Sequence, residues 1–173
     1  MKKTIALLLC IFLMVATFAA CNSDNDSKDD TKSSDWKYEL DGETAAITGY
    51  TGSAAEVKIP DKLDGKTVTS IGEEAFYDCV SIESITIPNS VTEIGPRAFC
   101  DCTALSSITI PNSVKFVSFW PFLRCESLKD IYYTGSKSDW DSVFFGCGIE
   151  ELTDVTVHYN WVPVTNDAQN AAN

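Results

Sequence analysis

Three cysteines, Cys79, Cys102 and Cys125, stand 23 residues apart, and Cys147 falls in a degenerate fourth copy of the same pattern. Thiols at a fixed step can form disulfides or hold a metal ion, so they pose the first chemical question. Neighbours in a stacked repeat would lie near 5 Å, roughly the Cα separation a disulfide tolerates. Their side chains would project in parallel, however, which does not suit the bridge torsion. One Cys per repeat at a constant register is explained by packing, because a buried Cys acts as a small hydrophobe with a weak S–H donor. Buried free thiols are therefore expected. Cys100-Asp101-Cys102 lacks the two-residue spacer of zinc sites and has no second pair. Cys100 shares the register of Tyr77 and Leu123, which predicts a partly buried residue on the convex side.

Other constellations point away from catalysis. His158 is the single histidine, and it sits in a terminal strand pattern rather than beside a Ser or Cys nucleophile. The pairs Glu73-Glu74 and Glu150-Glu151 read as solvated faces rather than glycosidase acids. Asp24, Asp26 and Asp29 lack the Gly and the terminal Glu of a calcium loop. No Gly-rich phosphate loop is present. The expectation is a protein that is not an enzyme, with no catalytic residue, no metal site and no cofactor. A surface hydrolase is the remote alternative.

One cysteine invites a different chemistry. Lys2 and Lys3 precede an uncharged apolar run from Ile5 to Ala20 that ends in Phe18-Ala19-Ala20-Cys21. The run is shorter than the ~20 residues of a spanning helix and reads as a signal-peptide core. The ending resembles a bacterial lipobox, although Phe18 stands where Leu, Val or Ile is preferred. The resemblance implies cleavage before Cys21 and a diacylglyceryl group on its thiol. Asn22 follows, so there is no Asp to signal inner-membrane retention. The expectation is export, with attachment to the cell membrane or surface through the lipid alone.

The net charge of the chain is −12, and removing residues 1–20, which carry two lysines and no acid, leaves −14. Such a surface excludes nucleic acid, which demands a basic face, and disfavours lying on anionic lipid. The segment from Asn22 to Asp35 has no apolar residue and cannot offset the entropy cost of ordering. It reads as a tether whose ends lie about 20 Å apart. Hydrophobic residues make up 45 % of the chain, enough for a packed core beyond the tether.

That core is repetitive. Phe76, Phe99 and Phe122 keep the 23-residue step, as do Ile82, Leu105 and Leu128, then Ile85, Ile108 and Ile131, then Ile87, Ile110 and Tyr133. Pro60, Pro88 and Pro111 mark the turns, the first interval being five residues longer because of 63–67. A unit this short cannot bury its own apolar face, so units must stack and share one interior. The two-residue alternation of Ile85 and Ile87 marks a short strand, and stacking aligns the strands into a parallel sheet. Glu74-Ala75-Phe76 and Arg97-Ala98-Phe99 read as helical turns that drop Phe inward. Trp36 to Pro60 reads as a hairpin turning at Asp41-Gly42, and Tyr132 to Asn160 as an irregular cap with Trp140, Val155, Val157 and Tyr159 covering the last open core.

These residues resemble the BspA-like leucine-rich-repeat family: IESITIPNSVTEIGPRAFCDC from Ile82 and LSSITIPNSVKFVSFWPFLRC from Leu105 follow its pattern. The opening ITGYTGSAAEVKIP and the ending DIYYTGSKSDWDSV…VTVHYN look like that family's start and finish. The resemblance implies a mainly β fold with some helix: a short right-handed leucine-rich-repeat solenoid of about four turns. It also implies surface display, with some members acting as adhesins for host or extracellular-matrix proteins or for other microbes. The expected divisions are a signal peptide (1–20), a lipidated Cys and tether (21–35), the repeat domain (36–161) and a polar tail (162–173).

Function then falls to the outer skin. With Ile85 and Ile87 inward, Ser84 and Thr86 face out, and stacking adds Ser107, Thr109, Asp130 and Tyr132. This small hydroxyl surface suits a glycan or a protein strand, although Thr on a strand needs no functional reason. Where one repeat has Glu93, Pro96 and Arg97, the next has Phe116, Phe119 and Trp120. An exposed aromatic cluster would be a binding patch; the plainer expectation is that the C-terminal cap folds over it through Trp140 or Phe145. The leading function is a surface module binding protein or glycan, possessing no enzymatic activity. The alternative is a structural or accessory envelope lipoprotein without a host ligand.

Overall fold

The computed structural model describes residues 33–163. Cys21, the lipobox and most of the acidic segment lie outside the described residues, as does the tail from residue 164. A short 3₁₀ turn at Ser33–Asp35 leads into the first strand. The strands are β1 (Trp36–Asp41), β2 (Thr44–Tyr50), β3 (Glu56–Lys58), β4 (Lys62–Leu63), β5 (Lys66–Ile71), β6 (Ser84–Thr86), β7 (Glu93–Ile94), β8 (Ser107–Ile110), β9 (Phe116–Val117), β10 (Asp130–Tyr133) and β11 (Thr156–His158), with one helix, α1 (Lys137–Val143), before the last.

The chain winds as a coil with a sheet on each of two sides. The Ile-x-Ile segments form one sheet in the order β11-β10-β8-β6-β3. Its parallel register aligns Val57, Ile85, Ile108, Ile131 and Val157 on successive strands. The expected strand stacking is therefore present. It has five rungs, close to the expected count of about four; the first is β3, inside the expected cap region, which already pairs in register with β6.

The other side holds a second sheet, β1-β2-β5-β7-β9, with β4 on β5. Here the Ile71, Ile94 and Val117 positions lie side by side. The β1–β2 hairpin is the expected one, turning at Gly42 in the left-handed region. The five extra residues form a second hairpin, β4–β5, whose turn Asp64-Gly65 places both residues at positive φ, the geometry that makes Asp-Gly a hairpin signal.

The expected helical turns are absent. Glu74, Arg97 and Trp120 share a left-handed φ near 50°, and Asp78, Asp101 and Arg124 another near 60°. Two left-handed residues per coil prevent an α-helix. The segments bond between coils instead. The N–H groups of Glu74, Phe76 and Asp78 donate to the carbonyls of Pro96, Ala98 and Cys100; those of Arg97, Phe99 and Asp101 donate to Phe119, Pro121 and Leu123. This convex ladder satisfies backbone groups that would otherwise be stranded.

Between the walls lies one apolar interior. Phe76, Phe99 and Phe122 stack with centroids 5.2 and 5.4 Å apart, and Tyr50 extends the column at 5.6 Å. The C-terminal end departs from the period. The strand-to-strand step is 23 residues from Ile108 to Ile131 but 26 from Ile131 to Val157. α1, opened by a Ser136–Asp139 capping box, takes the place of a further second-sheet strand. Trp140 and Phe144 turn inward against each other at 3.8 Å, while Val155, Val157 and Tyr159 are only partly covered.

Candidate binding surface

The aromatic cluster is open to solvent. Phe116, Phe119 and Trp120 are 59 %, 56 % and 46 % exposed. The expected cover does not form, because Trp140 and Phe144 are used in the core and Phe145 is itself 91 % exposed. Each cluster residue is positioned by the coil. Phe116 lies on β9, beyond which the second sheet has no further strand. Phe119 and Trp120 follow in the turn, edge to face at 5.8 Å. Trp120 is held at φ 54°, its backbone N–H donates to the Cys147 carbonyl, and its indole lies so close to Gly148 that a Cβ there would collide with Cδ1. One coil earlier the Trp120 register holds Arg97, which pairs with Glu73 and Glu74 at 3.3 and 2.8 Å. The last coil has thus exchanged an ion-paired surface for aromatic rings.

The outer face of the first sheet carries the hydroxyl positions as expected. Ser84, Ser107 and Asp130 form one row and Thr86, Thr109 and Tyr132 another. Thr86 is exposed and the other five are half-buried. At the C-terminal end the rows gain two residues that the periodic pattern did not single out. His158 stacks on Tyr132 at 4.8 Å and 17°, and its Nε2 lies 2.7 Å from Asp130 Oδ1. Trp161 packs on Tyr132 at 4.4 Å. His158 is thus bound into a ring cluster; the signal was its register beside Tyr132, which the alternating strand pattern contained.

The described cysteines are free thiols. Cys102 Sγ donates to the Phe76 carbonyl and Cys125 Sγ to that of Phe99, both at 3.0 Å and each one coil back. Cys147 donates instead to Phe144 in its own turn. Burial pushes all of these thiols up from their ordinary value, Cys125 to about 12. Cys100 is more deeply buried than its register suggested, with Sγ 3.2 Å from Asp101 Oδ2. Asp101 in turn pairs with Arg124, whose hydrogen bond holds the Asp101 carboxyl below the usual range. Among the described residues, no group of three His, Cys, Asp or Glu side chains is arranged to hold a metal ion.

Comparisons with known proteins agree with this architecture. A family profile described as a BspA type leucine rich repeat region of six copies matches residues 50–164. A leucine-rich-repeat protein of Treponema pallidum is similar at 30 % identity and TM-score 0.57, over 75 % of this chain and 64 % of that one. A leucine rich cell surface protein of Faecalibacterium prausnitzii is similar at 30 % identity and TM-score 0.52, over 58 % of this chain and 31 % of that one. A leucine-rich repeat protein of Bacteroides capillosus is 26 % identical with TM-score 0.60, over 72 % and 94 %. The matched part spans less than two thirds of the first two relatives. No curated protein matches the chain.

Proposed function

Since the chain belongs to the BspA-type leucine-rich-repeat family, we propose that it is a cell-surface module that binds a protein through the aromatic shelf of Phe116, Phe119 and Trp120. The exposure of those three rings carries the reading. Nothing in the repeat requires them: the preceding coil places Glu93, Pro96 and Arg97 at the same positions. Large exposed aromatics are the residues that dominate binding energy when a partner desolvates them. The family and its cell-surface relative support the placement.

The test is capture by the purified protein on arrays of extracellular-matrix proteins and glycans. Replacing Phe119 and Trp120 with Ser together is expected to weaken capture of a protein ligand by about thirtyfold or more, the cost of a hot spot of about 2 kcal/mol. Capture unchanged by the pair of substitutions overturns the reading. So does equal binding to phosphatidylcholine vesicles by both forms, which would make the domain's contact a lipid surface. A second reading, glycan binding, is favoured by the Tyr132–His158–Trp161 rings beside Asp130 and the hydroxyl rows. It predicts capture lost in Tyr132→Ala and retained in the shelf variant.

Display follows from the export segment in this proposal, with Cys21 carrying the lipid. Among the described residues no helix is long and apolar enough to cross a membrane. Cys21→Ser is expected to move the protein from the membrane to the soluble fraction in cell fractionation; continued membrane association contradicts lipidation.

A further inference from the structure

We propose that the cavity at the C-terminal end of the coil is a second contact site, which takes a bulky apolar side chain carried on a basic segment of a partner protein. This rests on the reading of the domain as a protein-binding module. The cavity arises where the repeat runs out. The last coil is three residues longer than the two before it, and Phe144 stacks on Trp140 instead of extending the phenylalanine column. The space inside that coil, about 480 Å³, is walled by Ile131, Trp140, Phe144, Leu152, Val155 and Val157. That volume lies within the range of small-molecule sites, roughly 300–1,000 Å³, and far above the ~150 Å³ that suffices for benzene. A Leu, Phe or Trp side chain fits it.

Charge selects the partner. The acidic side chains among the cavity walls are Asp141 and Glu150, both exposed. Asp141 shares Lys137 at 2.7 Å, and among the described residues Glu150 has no ion pair. The chain as a whole carries −12. A second copy would bring the same carboxylates against these, and an anionic lipid would meet the same repulsion. Lysines or arginines flanking an apolar anchor complement both the walls and the surrounding field. The site is also continuous with the aromatic shelf. Phe144, Phe145, Gly146 and Ile149 wall the cavity, while Cys147 and Gly148, between them, touch Trp120. One partner segment can engage both.

Three acetylated pentapeptides test this: Lys-Lys-Phe-Lys-Lys, Lys-Lys-Ala-Lys-Lys and Glu-Glu-Phe-Glu-Glu. Each is titrated into the purified protein with tryptophan fluorescence as readout, Trp140 being a cavity wall. The first is expected to saturate at millimolar concentration or below, and the other two to bind at least about tenfold more weakly. Val155→Phe, which adds a ring to the wall and narrows the cavity, should weaken the signal by about tenfold or more. Glu150→Lys, which leaves the cavity open, should weaken it by about tenfold, so a folding failure in the first variant does not spare the proposal. Equal affinity for the basic and acidic peptides, no saturable signal, or full binding by a folded Val155→Phe overturns it. If Phe119→Ser and Trp120→Ser abolish partner capture while the peptides give no saturable signal, the cavity site falls and the shelf stands; peptide binding with capture unmoved by those substitutions gives the reverse.

Discussion

Between about pH 9 and pH 12 the folded chain is expected to lose most of its stability, because its buried thiols can ionise freely only after the fold opens. Cys102 and Cys125 are 0 % and 5 % exposed. Burial pushes both well above the ordinary value of 9.0, Cys125 to about 12 and Cys102 beyond it. Cys79, raised by burial and then by Asp78, and Cys100, raised by burial and then by Asp101, both reach about 11. Below pH 9 these thiols are neutral in both states and their contribution is fully present. Above that, the unfolded chain releases protons that the folded chain retains. Stability then falls by about 1.4 kcal/mol per pH unit for each thiol until its folded value is reached.

Cys102 and Cys125 alone would remove about 5 kcal/mol by pH 11, against the 5–15 kcal/mol that roughly bounds a domain's stability. Tyr133 adds in the same direction, since burial raises its phenol too. Urea denaturation at a series of pH values should show the midpoint falling steeply above pH 9, and a shallower fall in Cys125→Ala. A midpoint that stays flat up to pH 11 would show that the thiols are not buried as described.

Phe99→Ala is the single substitution expected to cost most. Phe99 is fully buried at the middle of the column, with a ring on either side at 5.2 and 5.4 Å. Truncating a buried Phe costs about 3–5 kcal/mol through lost transfer energy and the cavity left behind. Two broken ring stacks place this case at the upper end. The position has a second liability: its carbonyl accepts the Cys125 thiol, so a backbone shift there loosens the next coil. Urea denaturation should show a loss of about 4 kcal/mol or more, while Phe145→Ala, at a ring 91 % exposed, should stay within about 0.5 kcal/mol. A loss under about 1.5 kcal/mol for Phe99→Ala would contradict the shared-core account.

The stack of coils was legible because burial repeats with the side chains. Phe76, Phe99 and Phe122, the Ile pairs, and Cys102 and Cys125 recur at one step and land in the interior, with Cys79 packed at its margin. The second sheet was not legible, since a two-residue strand such as Glu93–Ile94 leaves no alternation to read. The convex turns were misread as helical because Glu74-Ala75-Phe76 has good helix formers. Tertiary bonding between coils overrides that preference and drives Glu74, Arg97 and Trp120 to positive φ.

The departure of Phe116, Phe119 and Trp120 from the polar pattern was visible in the sequence, whereas their exposure was not. It turns on where Trp140 and Phe144 go, and those lie beyond the last faithful repeat. Trp161 and the cavity likewise belong to the aperiodic end.

The convex ladder has a direction. Each coil offers N–H groups toward its C-terminal neighbour and carbonyls toward its N-terminal one, and the thiol bond runs the opposite way by the same one-coil step. Every internal coil therefore presents one rim that fits the opposite rim of any other. Tandem duplication of a 23-residue unit would splice in without disturbing either terminus, whereas a shorter insertion keeps the donors aligned only where it loops out between rungs, as the β4–β5 hairpin does. Lineages carrying this fold are free to change its length by whole coils while keeping the specialised coil that bears Phe119 and Trp120 intact.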